Sequence, residues 1–62
     1  KLTSGEISCL SLASKGLNSE QISVATNFKF ETVNSYLKDA TKKLGAANRL
    51  EAVVIALKTG II

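Results

Sequence analysis

The sequence contains no proline and no histidine, a single cysteine, and only three aromatic residues, Phe28, Phe30 and Tyr36. Each shortage excludes something. Without histidine the usual zinc ligand sets and the commonest general base are missing, and the lone Cys9 rules out an intrachain disulfide. There is no GxSxG elbow and no glycine-rich loop to cradle a phosphate, and the five carboxylates are scattered along the chain rather than paired. The chain therefore reads as no enzyme, with no cofactor and no metal. Cys9, on the semi-buried side of a helix, is expected to be a small hydrophobe rather than a nucleophile. No apolar run approaches the roughly 20 residues of a membrane span, and no cleavable leader is visible. We expect a soluble, cytoplasmic domain with no membrane partner. The chain opens directly on a helix-start signal without an initiator methionine, which predicts a further domain upstream.

What remains is a recipe for short helices. With 62 residues, 45% of them hydrophobic, the core has to be assembled from Leu, Ile, Val and Ala, which suits packed helices better than a sheet. A domain of this size buries only about 60% of its unfolded surface, so little stability is in reserve. No repeat, low-complexity segment or linker interrupts the chain, and residues 1–62 are expected to form one domain.

Taken in order, Thr3-Ser4-Gly5-Glu6 has the spacing of a capping box and should open a first helix. Ile7, Leu10 and Ala13 form its core stripe with Cys9 beside them, and Gly16 is placed to end it in a left-handed turn. Leu12 points away from that stripe, either under a neighbouring helix or toward a docking partner. Asn18 or Ser19 then caps a second helix that ends near Ala25, with Ile22 and Ala25 facing the core and Thr26-Asn27 as the turn.

The stretch Phe28 to Leu44 sorts into two faces when wound as a helix. Val33, Leu37, Ala40 and Leu44 make an apolar stripe, while Glu31, Ser35, Lys38 and Lys42 lie opposite, with Asn34 and Asp39 on the flanks. After the break at Gly45-Ala46-Ala47, Asn48 opens a fourth helix that Gly60 closes. Ala52, Val53 and Ala56 fit its core stripe, with Ile55 at the edge. Leu50, Val54 and Leu57 form a second apolar stripe on the other side, which is either a self-association surface or a strip covered by Ile61 and Ile62 folding back.

Charge is as unevenly distributed as hydrophobicity. Between Lys29 and Arg49 five cations face only Glu31 and Asp39, whereas the rest of the chain balances three against three, so the whole net charge of +3 sits on this one region. That asymmetry suits a polyanion; a solvated helix face is the alternative. Asn34 and Ser35 are poor helix-interior residues, yet both can donate to and accept from base edges. Lys38 and Lys42 would reach guanine acceptors or phosphates, and Thr32, Lys29 and Lys43 lie at the rims, where contacts set register. RNA fits less well, because Phe28 and Tyr36 fall on or beside the core side and leave no stacking platform.

The succession Leu2-Thr3-x-x-Glu6, Leu10, Gly16, Glu20-x-Ile22, Thr32-Val33-Asn34, Lys43-Leu44, Asn48-Arg49, Ala52-Val53, Ala56 and Gly60-Ile61-Ile62 runs through essentially the whole chain. In this order and spacing it resembles the helix-turn-helix output domain of the LuxR/GerE, or FixJ/NarL, bacterial transcription regulators. Thr32-Val33-Asn34, the small Ala40 and the stretch KLGAANR look most like the quorum-sensing branch, whose members carry an N-terminal domain that binds an acyl-homoserine lactone. Phosphoreceiver-linked relatives share the same output fold.

The resemblance implies an all-α four-helix bundle with a central helix-turn-helix. It also implies sequence-specific binding of double-stranded DNA as the output domain of a longer regulator. Carried over by position, base contacts fall on Asn34, Ser35 and Lys38, backbone contacts near Lys29, Thr32 and Lys43, joined by Lys42, and the dimer interface on Leu50, Val54 and Leu57. The expected partners are thus a palindromic DNA site, a second copy in the full-length protein, and RNA polymerase. Lys29 departs from the pattern, standing where the family usually has a Ser or Thr cap; Tyr36, Asp39 and Thr26 replace the usual His, Asn and Leu. Two rival readings remain: a protein-interaction module whose basic face is merely solvated, and a sigma-factor-like promoter reader that has no need of the Leu50, Val54 and Leu57 stripe.

Overall fold

In the computed structural model, which describes residues 1–62, Thr3 opens the first helix through the reciprocal cap that its spacing predicts. Thr3 Oγ1 accepts from the Glu6 amide at 3.3 Å and Glu6 Oε1 accepts from the Thr3 amide at 2.7 Å. Four helices follow one another without any strand: α1 (Ser4–Ser14), α2 (Ser19–Thr26), α3 (Phe30–Lys43) and α4 (Arg49–Lys58). Asn18, not Ser19, caps α2, exchanging two 2.9 Å bonds with Gln21. Asn48 caps α4 by accepting from the Glu51 amide at 2.8 Å. Only α3 starts without a side-chain cap, at Lys29.

The turn between α2 and α3 is tightly tied. Asn27 takes the left-handed conformation at φ 64°. The Thr26 hydroxyl donates to Ile22 O at 2.7 Å and accepts from the Phe28 amide at 3.2 Å, while Ser23 Oγ donates to Phe28 O at 2.6 Å. α3 ends at Gly45, whose φ of 68° lets the Ala46 amide turn back to Thr41 O at 3.0 Å. α1 and α4 close in the same way.

Nine apolar side chains form the core: Cys9, Leu10, Ile22, Val33, Leu37, Ala40, Ala52, Val53 and Ala56. Helix α3 packs against each of the other three, whereas α2 and α4 do not pack on one another. The stripes expected for α3 and α4 face inward as the spacing predicts, with Leu44 half-buried at the rim. Burial pushes the Cys9 thiol pKa up, which leaves it protonated and inert as a packing group.

Two expectations need correction. α1 turns inward on Glu6, Cys9 and Leu10, leaving Ile7 and Ala13 half-buried at the edges. The rotation follows from Glu6, which is 2% exposed because its carboxylate is satisfied by both the cap and the Lys43 ammonium, 2.9 Å away. In α2, Ala25 is exposed rather than facing the core. The inward side of that helix is Ser19, Ile22, Ser23 and Thr26, and each of the three hydroxyls is hydrogen-bonded, so polar residues occupy positions that a hydropathy pattern gives to alanine.

Leu12 packs half-buried against the core, under its neighbours. Ile61 and Ile62 do fold back, both amides donating to Ala56 O, and they too pack on the core. They do not cover the second stripe of α4, where Leu50, Val54 and Leu57 stay 74%, 41% and 54% exposed. No helix is long and apolar enough to cross a membrane.

Candidate nucleic-acid interface

Because α3 is central, its three sides meet different surroundings. The side away from the core carries Glu31, Ser35, Lys38 and Lys42, all exposed. The side toward α1 carries Tyr36, whose ring meets Phe28 edge-on at 5.3 Å between centroids, and Lys43. The third side, toward the start of α4, carries Asn34 and Thr41.

Along that third side runs an open groove of about 420 Å³, floored by Leu37 and Ala46 and edged by Asn34, Lys38, Thr41, Lys42 and Arg49. Three cations converge on it. Neither Lys38 nor Lys42 nor Arg49 has a carboxylate within ion-pair distance, since Lys43–Glu6 is the one ion pair of the fold. Arg49 is the first residue of α4, so the positive end of that helix adds to the field. Unpaired cations beside amide and hydroxyl groups suit a chain of phosphates whose neighbours have polar edges.

Asn34 is anchored rather than free. Its Oδ1 accepts from the Ser19 hydroxyl at 2.6 Å, and Arg49 Nη1 donates to that same Ser19 oxygen at 3.4 Å. The sequence-predicted residues thus divide. Asn34, Lys38 and Lys42 share the groove, and Ser35 stands exposed on the adjoining outward face. Lys29 and half-buried Thr32 lie at the opening of α3, outside the groove. Lys43 faces the other way, its Nζ on Glu6. The Thr3 amide that donates to Glu6, with Lys43 beside it, holds that carboxyl below the ordinary range in spite of its burial.

Arg49 and Ser19 are the site residues that sequence reasoning missed. A signal for Arg49 was present: a cation in the first turn of a helix opposes the dipole, and such a local violation points to a tertiary role. Nothing local marks Ser19, which reads as an ordinary helix-start residue.

A family model described as bacterial regulatory proteins, luxR family, matches residues 1–56. The chain is 38% identical over 61 residues to the transcriptional activator protein VanR of Vibrio anguillarum, covering 98% of this chain and 25% of that protein. It is 39% identical over 61 residues to the HTH-type quorum sensing-dependent transcriptional regulator VjbR of Brucella abortus (strain 2308), covering 98% and 24%. With the response regulator RamR of Streptomyces coelicolor it shares 36% over 59 residues, covering 95% and 29%. The chain therefore spans about a quarter of the length of these relatives.

Proposed function

This chain belongs to the luxR family of bacterial regulatory proteins, a helix-turn-helix domain of DNA-binding transcription regulation, and from that premise we propose that α3 is its recognition helix, lying in the major groove of a palindromic site. In this reading Asn34, Ser35 and Lys38 meet base edges, while Lys29, Thr32 and Lys42 meet phosphates. Lys43 joins the phosphate contacts only by leaving Glu6. The observation that carries the reading is the convergence of unpaired Lys38, Lys42 and Arg49 on one groove of α3 beside an anchored amide.

Residues 1–62 act as the output domain of a longer, cytoplasmic regulator with no catalytic step of its own. Leu50, Val54 and Leu57, exposed along one side of α4, are the dimer interface of the full-length protein, and RNA polymerase is the downstream partner. A quorum-sensing input is the reading supported by the relative named as quorum sensing-dependent. The relative named as a response regulator supports the second reading, a phosphoreceiver upstream.

Selection from a pool of randomised duplexes tests the core of the reading. Recovery of a two-fold symmetric motif, bound far more tightly than scrambled duplex and with affinity falling steeply as salt rises, is the expected result. Equal affinity for all duplexes, or indifference to salt, would sink it in favour of a protein-interaction module.

A further inference from the structure

Ser19 is the first residue of α2 and only 8% exposed, so its hydroxyl needs partners inside the protein. It has two. The Arg49 guanidinium is purely a donor, so on that side Ser19 Oγ must accept. Toward Asn34 the separation is 2.6 Å, the length of an O–H···O bond and short for N–H···O, so the hydroxyl hydrogen goes to Oδ1 rather than the second Ser19 lone pair accepting from Nδ2. The short Ser19–Asn34 bond, with Arg49 donating to the same oxygen from behind, sets which way the asparagine amide faces. With Oδ1 turned to α2, the planar amide directs Nδ2 away from that helix.

We propose that Ser19 and Arg49 are positioning residues that fix the polarity of the Asn34 amide, so that α3 offers a base edge a donor and withholds the acceptor. The inference rests on the reading of Asn34 as a base contact. Its consequence is a defined preference. An isolated amide donor complements acceptor edges such as guanine N7 and O6, whereas the two-bond pairing of asparagine with adenine also needs Oδ1 to accept from the adenine amino group. That oxygen is turned toward α2 by Ser19, away from the edge that Nδ2 presents. The link also joins α2 to α4, which do not otherwise pack together, so three helices converge on one side-chain amide.

The test has two arms. In the free chain, side-chain amide ¹⁵N relaxation should show an ordered Asn34 amide, and Ser19→Ala or Arg49→Met should each loosen it while the helical circular dichroism stays unchanged. On the duplexes recovered by selection, Asn34→Ala locates the base pair it reads. There Ser19→Ala should cut the preference for the acceptor edge over adenine by about five- to tenfold, the size of one hydrogen bond. Added to Asn34→Ala it should change nothing further, which a merely structural role of Ser19 would not produce. A mobile Asn34 amide in the unaltered chain overturns the relay, as does a base profile moved by Asn34→Ala but untouched by Ser19→Ala. An ordered amide with no base profile altered by Asn34→Ala overturns instead the reading of Asn34 as a base contact.

Discussion

Lys42 and Lys43 are neighbours in the chain and identical in chemistry, yet they serve opposite ends. Lys43 turns to α1 and closes a 2.9 Å pair on a carboxylate that is almost wholly buried; Lys42 opens onto the groove with no carboxylate within ion-pair distance. One helical step of about 100° separates them, enough to move a side chain from one neighbouring helix to another. The difference separates a structural edge of α3 from the edge proposed to read DNA, the reading edge. On the first, Glu6, Lys43, Tyr36 and Phe28 fasten the helix to α1 and to its own entry turn. On the second, Asn34 and Arg49 are held through Ser19, while Lys38 and Lys42 stand exposed without an ion pair.

Substitutions along the two edges put this division at risk, beginning with the largest effect. Glu6→Ala removes the reciprocal cap and the buried partner of Lys43 together, and should cost about 2 kcal/mol of unfolding free energy, read as a lowered urea midpoint. Lys43→Met leaves that carboxylate buried with its cap alone and should cost about 1 kcal/mol. Its pH profile is the sharper measure. Since the folded-state pKa of Glu6 is depressed, its contribution is complete above the unfolded carboxylate value of about 4.3, declines as pH falls through that value, and is gone below the folded one. Lys43→Met should flatten part of this acid slope.

Lys29→Ser acts outside both edges, at the uncapped start of α3. Supplying a cap oxygen and removing a cation from the positive end of the helix should raise stability by about 1 kcal/mol in a thermal melt, while the proposed phosphate contact of Lys29 predicts that every duplex then binds more weakly. Last comes Lys42→Met, expected to leave stability within about 0.5 kcal/mol and to lower the slope of log affinity against log salt by about one. If Lys42→Met destabilised the fold as much as Lys43→Met does, the distinction between the edges would be lost.

Which side of α3 faces outward was more legible in the sequence than its attachment to α1. Val33, Leu37 and Ala40 fall on one stripe by period alone, and that stripe sets which residues of α3 can point outward. The caps at Thr3 and Asn48 are equally local, each a short-range pattern that needs no knowledge of the fold. Glu6 was legible as a cap but not as a buried group, because its burial depends on Lys43, 37 residues away in sequence. Ser19 likewise depends on Asn34 and Arg49, 15 and 30 residues distant, and serine carries no hydropathy signal of its own. The inward face of α2 failed for a related reason. Ser23 donates to Phe28 O across the turn and Thr26 to Ile22 O within its own helix, and hydroxyls satisfied in that way sit where a pattern of hydrophobic residues is sought.

The ring of Tyr36 constrains how the domain can be engineered. Gly5 lies within α1, where a propensity-guided redesign would substitute alanine and anticipate a gain of roughly 0.5–1 kcal/mol. The added methyl would instead stand 2.7 Å from Tyr36 Cζ, and that ring is braced edge-on by Phe28, the residue just before the uncapped start of α3. A thermostabilised variant chosen on propensity would thus begin by pushing on the entry to α3, and position 5 belongs among those a redesign leaves alone.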